Sequence, residues 1–151
     1  MDEEAARIEC ANSTADAFAA LAAEGRFELQ TCRECGAVFW PPREICGSCW
    51  STGLEWRAVS PFGKLIAETT LHASLDTFFR ERLPWRIGSV GLDAGPIVLA
   101  HLADDAREGA RVRVIARSDF AGRGVLIALP EASDAILTDP KLLNLTRESQ
   151  I

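Results

Sequence analysis

Two cysteine pairs constrain this chain more than any other sequence feature. Cys32 and Cys35 form one CxxC pair, and Cys46 and Cys49 form a second pair after a gap of ten residues. Two residues between cysteines let a tight turn direct both sulfurs to one point. Two such turns facing each other supply the four-thiolate tetrahedron that zinc prefers. The spacing therefore predicts a metal centre formed by these four cysteines.

The predicted ion has a structural role, because four protein ligands leave no open coordination position for water or substrate. A thioredoxin-like dithiol would need one CxxC pair between a strand and a helix, a setting that is absent from this Gly-, Pro- and Trp-rich region. Thiolates also accept iron, so the spacing alone leaves the choice between zinc and iron open. The fifth cysteine, Cys10, lies in an acidic stretch and is interpreted as an incidental thiol.

Composition and charge narrow the function classes. The chain has 151 residues, of which 48% are hydrophobic and 25% charged, as in an ordinary globular protein. A net charge of −6 argues against nucleic acid as the partner. The apolar runs are too short to span a bilayer and the acidic N-terminus lacks the features of an export signal, so we expect no membrane partner and a cytoplasmic location.

The pattern along the chain predicts a mainly β fold. We expect a short helix over residues 12–25, turns and knuckles without regular structure over 30–56, and a short C-terminal helix that begins near Asp139 and Pro140. Five runs have strand character; they cover residues 64–72, 86–92, 97–102, 111–117 and 124–129. Five strands without a long helical period between them favour a small closed barrel.

The residues outside the cysteine pairs show no known catalytic motif. The two histidines, His72 and His101, lie in or at the end of predicted strands, where a packed side chain is the expected role. Asp104 and Asp105 are interpreted as a solvated turn, since adjacent carboxylates in a turn rarely form an acid/base pair. Because GxSxG, HExxH and phosphate-loop motifs are also absent from the sequence, we expect no independent enzyme.

The connection between the first two predicted barrel strands combines aromatic rings with arginines. Basic residues slightly outnumber acidic ones over 57–130, so an anionic ligand would be attracted to this part of the chain. The candidate contact residues are Phe78, Phe79, Arg80, Arg82, Trp85 and Arg86. They could contact an apolar chain that ends in phosphates, because guanidinium groups pair with phosphate, or a partner protein. A loop that caps the core with a charged exterior is an equal alternative.

Short motifs in and after the cysteine region occur in a characteristic order. Phe39-Trp40-Pro41-Pro42-Arg43 lies between the knuckles, Leu54-Glu55-Trp56 follows them, and Gly63-Lys64-Leu65 and Glu108-Gly109-Ala110-Arg111 lie in the barrel half. The series resembles the DUF35 family over about residues 18–130. Two positions depart from the pattern: the family often has a proline where this chain has Gly47, and a glycine where it has Trp50.

The resemblance implies four segments: an N-terminal helical segment over 1–29, a rubredoxin-like zinc ribbon over 30–58, an OB-fold over 59–130 and a tail over 131–151. DUF35 proteins are associated with thiolase-like enzymes of acyl-CoA metabolism. The resemblance therefore implies a non-catalytic, zinc-binding subunit of a thiolase complex, in which the ribbon and first helix bind the enzyme. The subunit would support binding and thiolytic cleavage of a 3-oxoacyl-CoA, such as benzoylsuccinyl-CoA or a steroid side-chain ester. A free acyl-CoA carrier or sensor, and a nucleic-acid-binding ribbon with a barrel, are the alternatives.

Overall fold

The computed structural model describes residues 14–134 and 136–146. In chain order, the elements are α1 (Thr14–Ala23), β1 (Glu28–Cys32), β2 (Val38–Phe39), β3 (Leu54–Ala58), β4 (Phe62–Leu71), α2 (Thr77–Arg80), β5 (Trp85–Leu92), β6 (Ile97–Leu102), β7 (Arg111–Ser118), β8 (Gly124–Pro130) and α3 (Pro140–Leu145). None of the helices in the described ranges is long and apolar enough to cross a membrane.

The cysteine region contains a small antiparallel sheet in the order β2-β1-β3. The expectation of turns without regular structure over 30–56 was wrong at this point, because β1 pairs along its whole length with β3 and at Gln30 and Thr31 with β2. All five residues of β1 are buried. Strands this short, interrupted by glycines and cysteine turns, give too weak an alternation to be recognised from sequence.

The second half of the fold is a closed barrel of five strands in the order β4-β5-β6-β8-β7. Most neighbours are antiparallel, but β6 and β8 are parallel and pair only at His101 and Leu102 of β6. Inward-facing side chains such as Leu65, Val90 and Val112 are completely buried, as the alternation of a small barrel requires. The predicted strands are confirmed, with bounds within two residues of those observed.

Helix α1 joins the ribbon to the barrel through one shared core. Phe18 packs edge-to-face on Trp40 of the ribbon, with ring centroids 4.7 Å apart, and lies parallel to Trp56 at 6.3 Å. Its other side contacts the start of β8. A Cβ atom on Gly124 would lie 2.8 Å from the Phe18 ring and 3.1 Å from the backbone of Ala19. Glycine at this position therefore allows the helix to pack directly on the barrel.

A second apolar cluster lies on the outside of the barrel. Trp85 and residues of β7 and β8 form its base, and the loop that contains α2 covers part of it. Leu142 and Leu145 of α3 cover the rest and are almost inaccessible to solvent. Asp139 caps this helix by accepting a hydrogen bond from the backbone amide of Lys141, and Pro140 begins it, which confirms the predicted C-terminal helix. Helix α3 is thus packed against the barrel.

Candidate metal centre

The four cysteines come together at one end of the ribbon sheet. Cys32 ends β1 and Cys35 follows in the adjoining turn, while Cys46 and Cys49 lie in the long connection between β2 and β3. Their four sulfurs lie within 4.8 Å of one another, with Cys32 Sγ 3.6 Å from Cys49 Sγ and Cys35 Sγ 3.5 Å from Cys46 Sγ. A zinc ion with Zn–S bonds near 2.3 Å needs sulfurs about 3.8 Å apart. The predicted ligand set therefore fits a tetrahedral ion.

Backbone amides stabilise the charged form of the first cysteine in each pair. Burial would raise the pKa of the Cys46 thiol, but the amides of Cys49 and Ser48 donate to its sulfur, both at 3.3 Å, and lower that pKa to about 6. In the first pair, the amides of Cys35 and Glu34 lower the pKa of Cys32 in the same way. Because metals bind the thiolate and not the thiol, these amides favour the form of Cys32 and Cys46 that binds a metal ion.

The two knuckles share one backbone pattern with one difference in sequence. The amide of Gly36 donates to the carbonyl of Cys32, and the amide of Trp50 donates to the carbonyl of Cys46. Both donors are in the left-handed region, with φ of 75° for Gly36 and 67° for Trp50. Glycine adopts this conformation freely, whereas a bulky side chain does so at a cost. Despite this cost, Trp50 is 81% exposed to solvent and is not packed inside the protein.

The remaining ribbon residues complete the surroundings of the centre. Arg43 and Phe39 lie against Gly47 in the second knuckle, a contact that the sequence analysis did not predict. The only sequence signal was the Pro-Pro-Arg motif that contains Arg43. In the part of the chain that the structure describes, no other group of three or more His, Cys, Asp or Glu side chains is placed to hold a metal ion. The prediction for Cys10 lies outside the described residues.

The family comparisons agree with both halves of the fold. Residues 19–55 match the family model "ChsH2, rubredoxin-like zinc ribbon domain", and residues 56–117 match "ChsH2, C-terminal OB-fold domain". A DUF35 domain-containing scaffold protein of Pyrococcus furiosus is 33% identical over 100 residues, which cover 62% of this chain and 73% of the relative. This chain belongs to the DUF35 family. The predicted membership of the DUF35 family is thereby confirmed, together with the predicted zinc ribbon and OB-fold.

Two more distant comparisons place this DUF35 chain among its relatives. A DUF35 domain-containing scaffold protein of Methanocaldococcus jannaschii is 30% identical over 74 residues, which cover 48% of this chain and 52% of that one. A solved chain described as "Ltp2-ChsH2(DUF35) aldolase" has a TM-score of 0.67 at 19% identity, and the match covers 79% of this chain and 95% of the other. At this level of identity, the solved chain shows a shared fold.

The arginines predicted to contact a ligand make internal contacts in this DUF35 structure. Arg80 donates to the carbonyls of Ser74 and Leu75, and Arg82 donates to the carbonyl of Phe78, with its guanidinium 4.0 Å from the ring centroid. Arg86 donates to the carbonyls of three residues and to the carboxylate of Glu68; the three are Ala103, Asp104 and Ala106. The bonds of Arg80 and Arg82 stay within the loop around α2, and those of Arg86 join β5 to the β6–β7 connection and to β4. Ligand binding by the arginines stays a prediction.

The aromatic residues of the same prediction form a packed cluster. Phe78 stacks on Phe120 with centroids 4.3 Å apart, and Phe79 contacts Trp85 edge-to-face at 5.0 Å. Trp85 is 3% exposed and is the first residue of β5 instead of part of the preceding connection. Asp119, a buried carboxylate, holds the β7–β8 turn that presents Phe120 by accepting hydrogen bonds from two backbone amides. This arrangement matches the loop that caps the core, and the sequence left that alternative open.

His101 is packed against this aromatic cluster. Its Nδ1 accepts a hydrogen bond of 2.9 Å from the indole Nε1–H of Trp85, and its ring lies parallel to Phe79. Burial, assisted by the nearby Arg123 cation and opposed by Asp119, lowers the pKa of His101 to about 4. The predicted packed histidine is therefore neutral at physiological pH, whereas His72 lies exposed just after β4.

The depressed pKa of His101 predicts a loss of stability in weak acid. The unfolded chain binds a proton at this histidine below its ordinary pKa of 6.5, while the folded chain does so only near pH 4. The free energy of unfolding therefore decreases as the pH falls from 6.5 to about 4, by about 3 kcal/mol in total. Urea unfolding of wild type and His101→Asn, which keeps an acceptor for Trp85, should give curves that converge between pH 6.5 and 4. Parallel curves would contradict the lowered pKa of His101. Zinc loss at low pH affects both proteins, so it cancels in the difference between their free energies of unfolding.

Proposed function

We propose that this DUF35 chain is a non-catalytic scaffold subunit that binds a thiolase- or aldolase-type enzyme of acyl-CoA degradation. Two curated relatives are named scaffold proteins, and the solved chain of the same fold is described as part of an Ltp2-ChsH2(DUF35) aldolase. The partner would cleave a carbon–carbon bond of a CoA ester, such as a 3-oxoacyl-CoA from a steroid side chain or from benzoylsuccinate. The scaffold would stabilise and orient that enzyme.

The side chains of the described residues favour a function in which a partner protein performs the catalysis. Thiolysis needs a nucleophilic cysteine and a base that activates it. All four cysteines in the described ranges belong to the metal centre, and Nδ1 of His101 accepts the indole hydrogen bond of Trp85. When zinc is bound, its role is to hold the two knuckles together, since four thiolates fill its coordination shell.

One observation points to the ribbon as the binding surface, namely the exposed indole of Trp50 held in a left-handed conformation. This conformation costs a non-glycine residue about 1–2 kcal/mol, and burial of the indole in this chain does not offset that cost. Ile45, on the same connection, is half exposed. Tryptophan is enriched among the residues that dominate the energy of protein interfaces. We infer that Trp50 inserts into an apolar pocket of the catalytic subunit.

Replacing Trp50 by Gly tests the scaffold function without a folding defect. Glycine suits the left-handed backbone, so Trp50→Gly should keep its zinc and a melting temperature close to that of wild type. Loss of the indole should weaken the complex at least tenfold, as expected for an interface residue worth about 2 kcal/mol or more. The measurement is co-expression with a candidate thiolase- or aldolase-type partner, followed by size-exclusion chromatography and titration.

Leu75→Ala is the matched control, because Leu75 is 96% exposed but lies on the barrel loop instead of the ribbon. This variant should bind the enzyme like wild type. Equal binding by Trp50→Gly and wild type would refute docking through the ribbon tip. An isolated chain that bound acyl-CoA tightly and formed no complex would instead identify a free carrier.

A further inference from the structure

The guanidinium of Arg43 lies against the second cysteine knuckle. A Cβ atom on Gly47 would lie only 2.5 Å from Arg43 Nη1, which shows how closely the side chain approaches the backbone between Cys46 and Cys49. The same guanidinium lies 5.2 Å from the ring centroid of Phe39. Arg43 thus covers one side of the turn that carries half of the metal ligands.

The backbone of Arg43 is tied to the strand that carries the first ligand. Its amide donates a hydrogen bond of 2.7 Å to Oε1 of Gln30, a buried residue of β1 two positions before Cys32. Gln30 is also the register partner of Phe39 on β2. The backbone of Arg43 and the ring that supports its guanidinium are therefore both fixed to the sheet that positions the cysteines.

The Arg43 cation lies beside a metal centre whose net charge is negative when zinc is bound. Four thiolates around a divalent zinc ion carry a net charge of −2. Among the described residues, no carboxylate forms an ion pair with Arg43, whereas Arg33 of the first knuckle lies 3.8 Å from the carboxylate of Glu55. The positive charge of Arg43 is thus free to act on the metal centre, while that of Arg33 is partly compensated by Glu55.

We propose that Arg43 is a positioning residue of the metal centre, which balances the charge of the zinc–thiolate group and shields the second knuckle from competing ligands. Gly47 is part of this arrangement, because a side chain at that position would displace the guanidinium of Arg43.

The test compares four zinc-loaded variants of the full chain. Arg43→Ala and Gly47→Ala should release zinc to an excess of chelator roughly tenfold faster than wild type, the lower end of the range for residues that orient metal ligands. Arg43→Lys, which keeps the charge without the planar group, should be intermediate. Arg33→Ala is the control, because it removes an equal charge from the other knuckle, and its rate should stay within about twofold of wild type.

Cobalt substitution separates a charge effect from a loss of structure. With Co²⁺ in place of zinc, Arg43→Ala should move the sulfur-to-cobalt charge-transfer band to longer wavelength, because loss of a nearby cation raises the energy of the thiolate electrons. Arg43→Lys should retain the wild-type position of the band. Wild-type release rates in Arg43→Ala or Gly47→Ala, or the same band position in Arg43→Ala and wild type, would overturn the proposal. Equal effects from Arg33→Ala would also overturn it, since any surface cation would then suffice.

Discussion

Replacing Cys46 by Ser is expected to abolish zinc binding and unfold the ribbon. Structural zinc contributes an apparent free energy of about 10–16 kcal/mol in small zinc-binding peptides at neutral pH, which is as large as the total stability of a typical domain. Cys46 is buried, and its sulfur accepts two backbone hydrogen bonds that favour the thiolate. A serine hydroxyl stays protonated at neutral pH and cannot replace this ligand. Metal analysis of the purified protein should therefore show no bound zinc.

The tryptophans report the same transition. Trp40 and Trp56 are packed against the core shared with Phe18, so unfolding of the ribbon should shift tryptophan emission to longer wavelength. Cys10→Ser is the matched control, because it removes a thiol that the sequence assigns no role in metal binding. A Cys46→Ser protein that kept one zinc ion and the wild-type melting temperature would show that the four-thiolate centre is wrong.

Replacing Leu145 by Ala is expected to have the second largest effect. Leu145 is completely buried in the cluster outside the barrel, and truncation of such a leucine leaves a cavity that costs about 2–5 kcal/mol. The effect should appear as a lower urea midpoint with an unchanged dependence on denaturant. The prediction follows from the packing of α3 on the barrel, beyond the residues that the family models match.

Leu143→Ala supplies the control within the same helix. Leu143 is 45% exposed, so the identical side-chain change should cost less than about 1 kcal/mol. Both variants carry the same Leu-to-Ala change within one helix of six residues, so their difference reports mainly on burial. If the two variants were equally stable, α3 would not pack on the barrel as observed.

The metal centre could be recognised from sequence because its chemistry is local. Two residues between cysteines define a turn that brings two sulfurs together, whatever the rest of the chain does. The barrel strands were recognised for a similar reason, since alternating β-branched and aliphatic residues mark a strand with one buried face. By contrast, the short strands β1, β2 and β3 were missed because their pairing depends on contacts across the knuckles.

The roles of the arginines and aromatic residues could not be decided from sequence. Phe78, Phe79 and Arg86 form a mixed apolar and basic stretch that suits a ligand loop or a capping loop equally well. The structure shows Arg86 bonded to backbone carbonyls and both rings packed in the cluster around Trp85. These partners lie on distant strands and turns, so no spacing within the stretch itself could indicate them.

The ligand set, the five barrel strands and the family were determined by the sequence alone, because each depends on residue types at short, fixed spacings. Only the tertiary structure decided which side chains are free to act. It placed Trp50 on the surface in a left-handed conformation, brought Arg43 against Gly47, and enclosed His101 beneath Phe79 and Trp85. Exposure and long-range contact arise when separate segments pack together, and the identity of a residue does not carry that information.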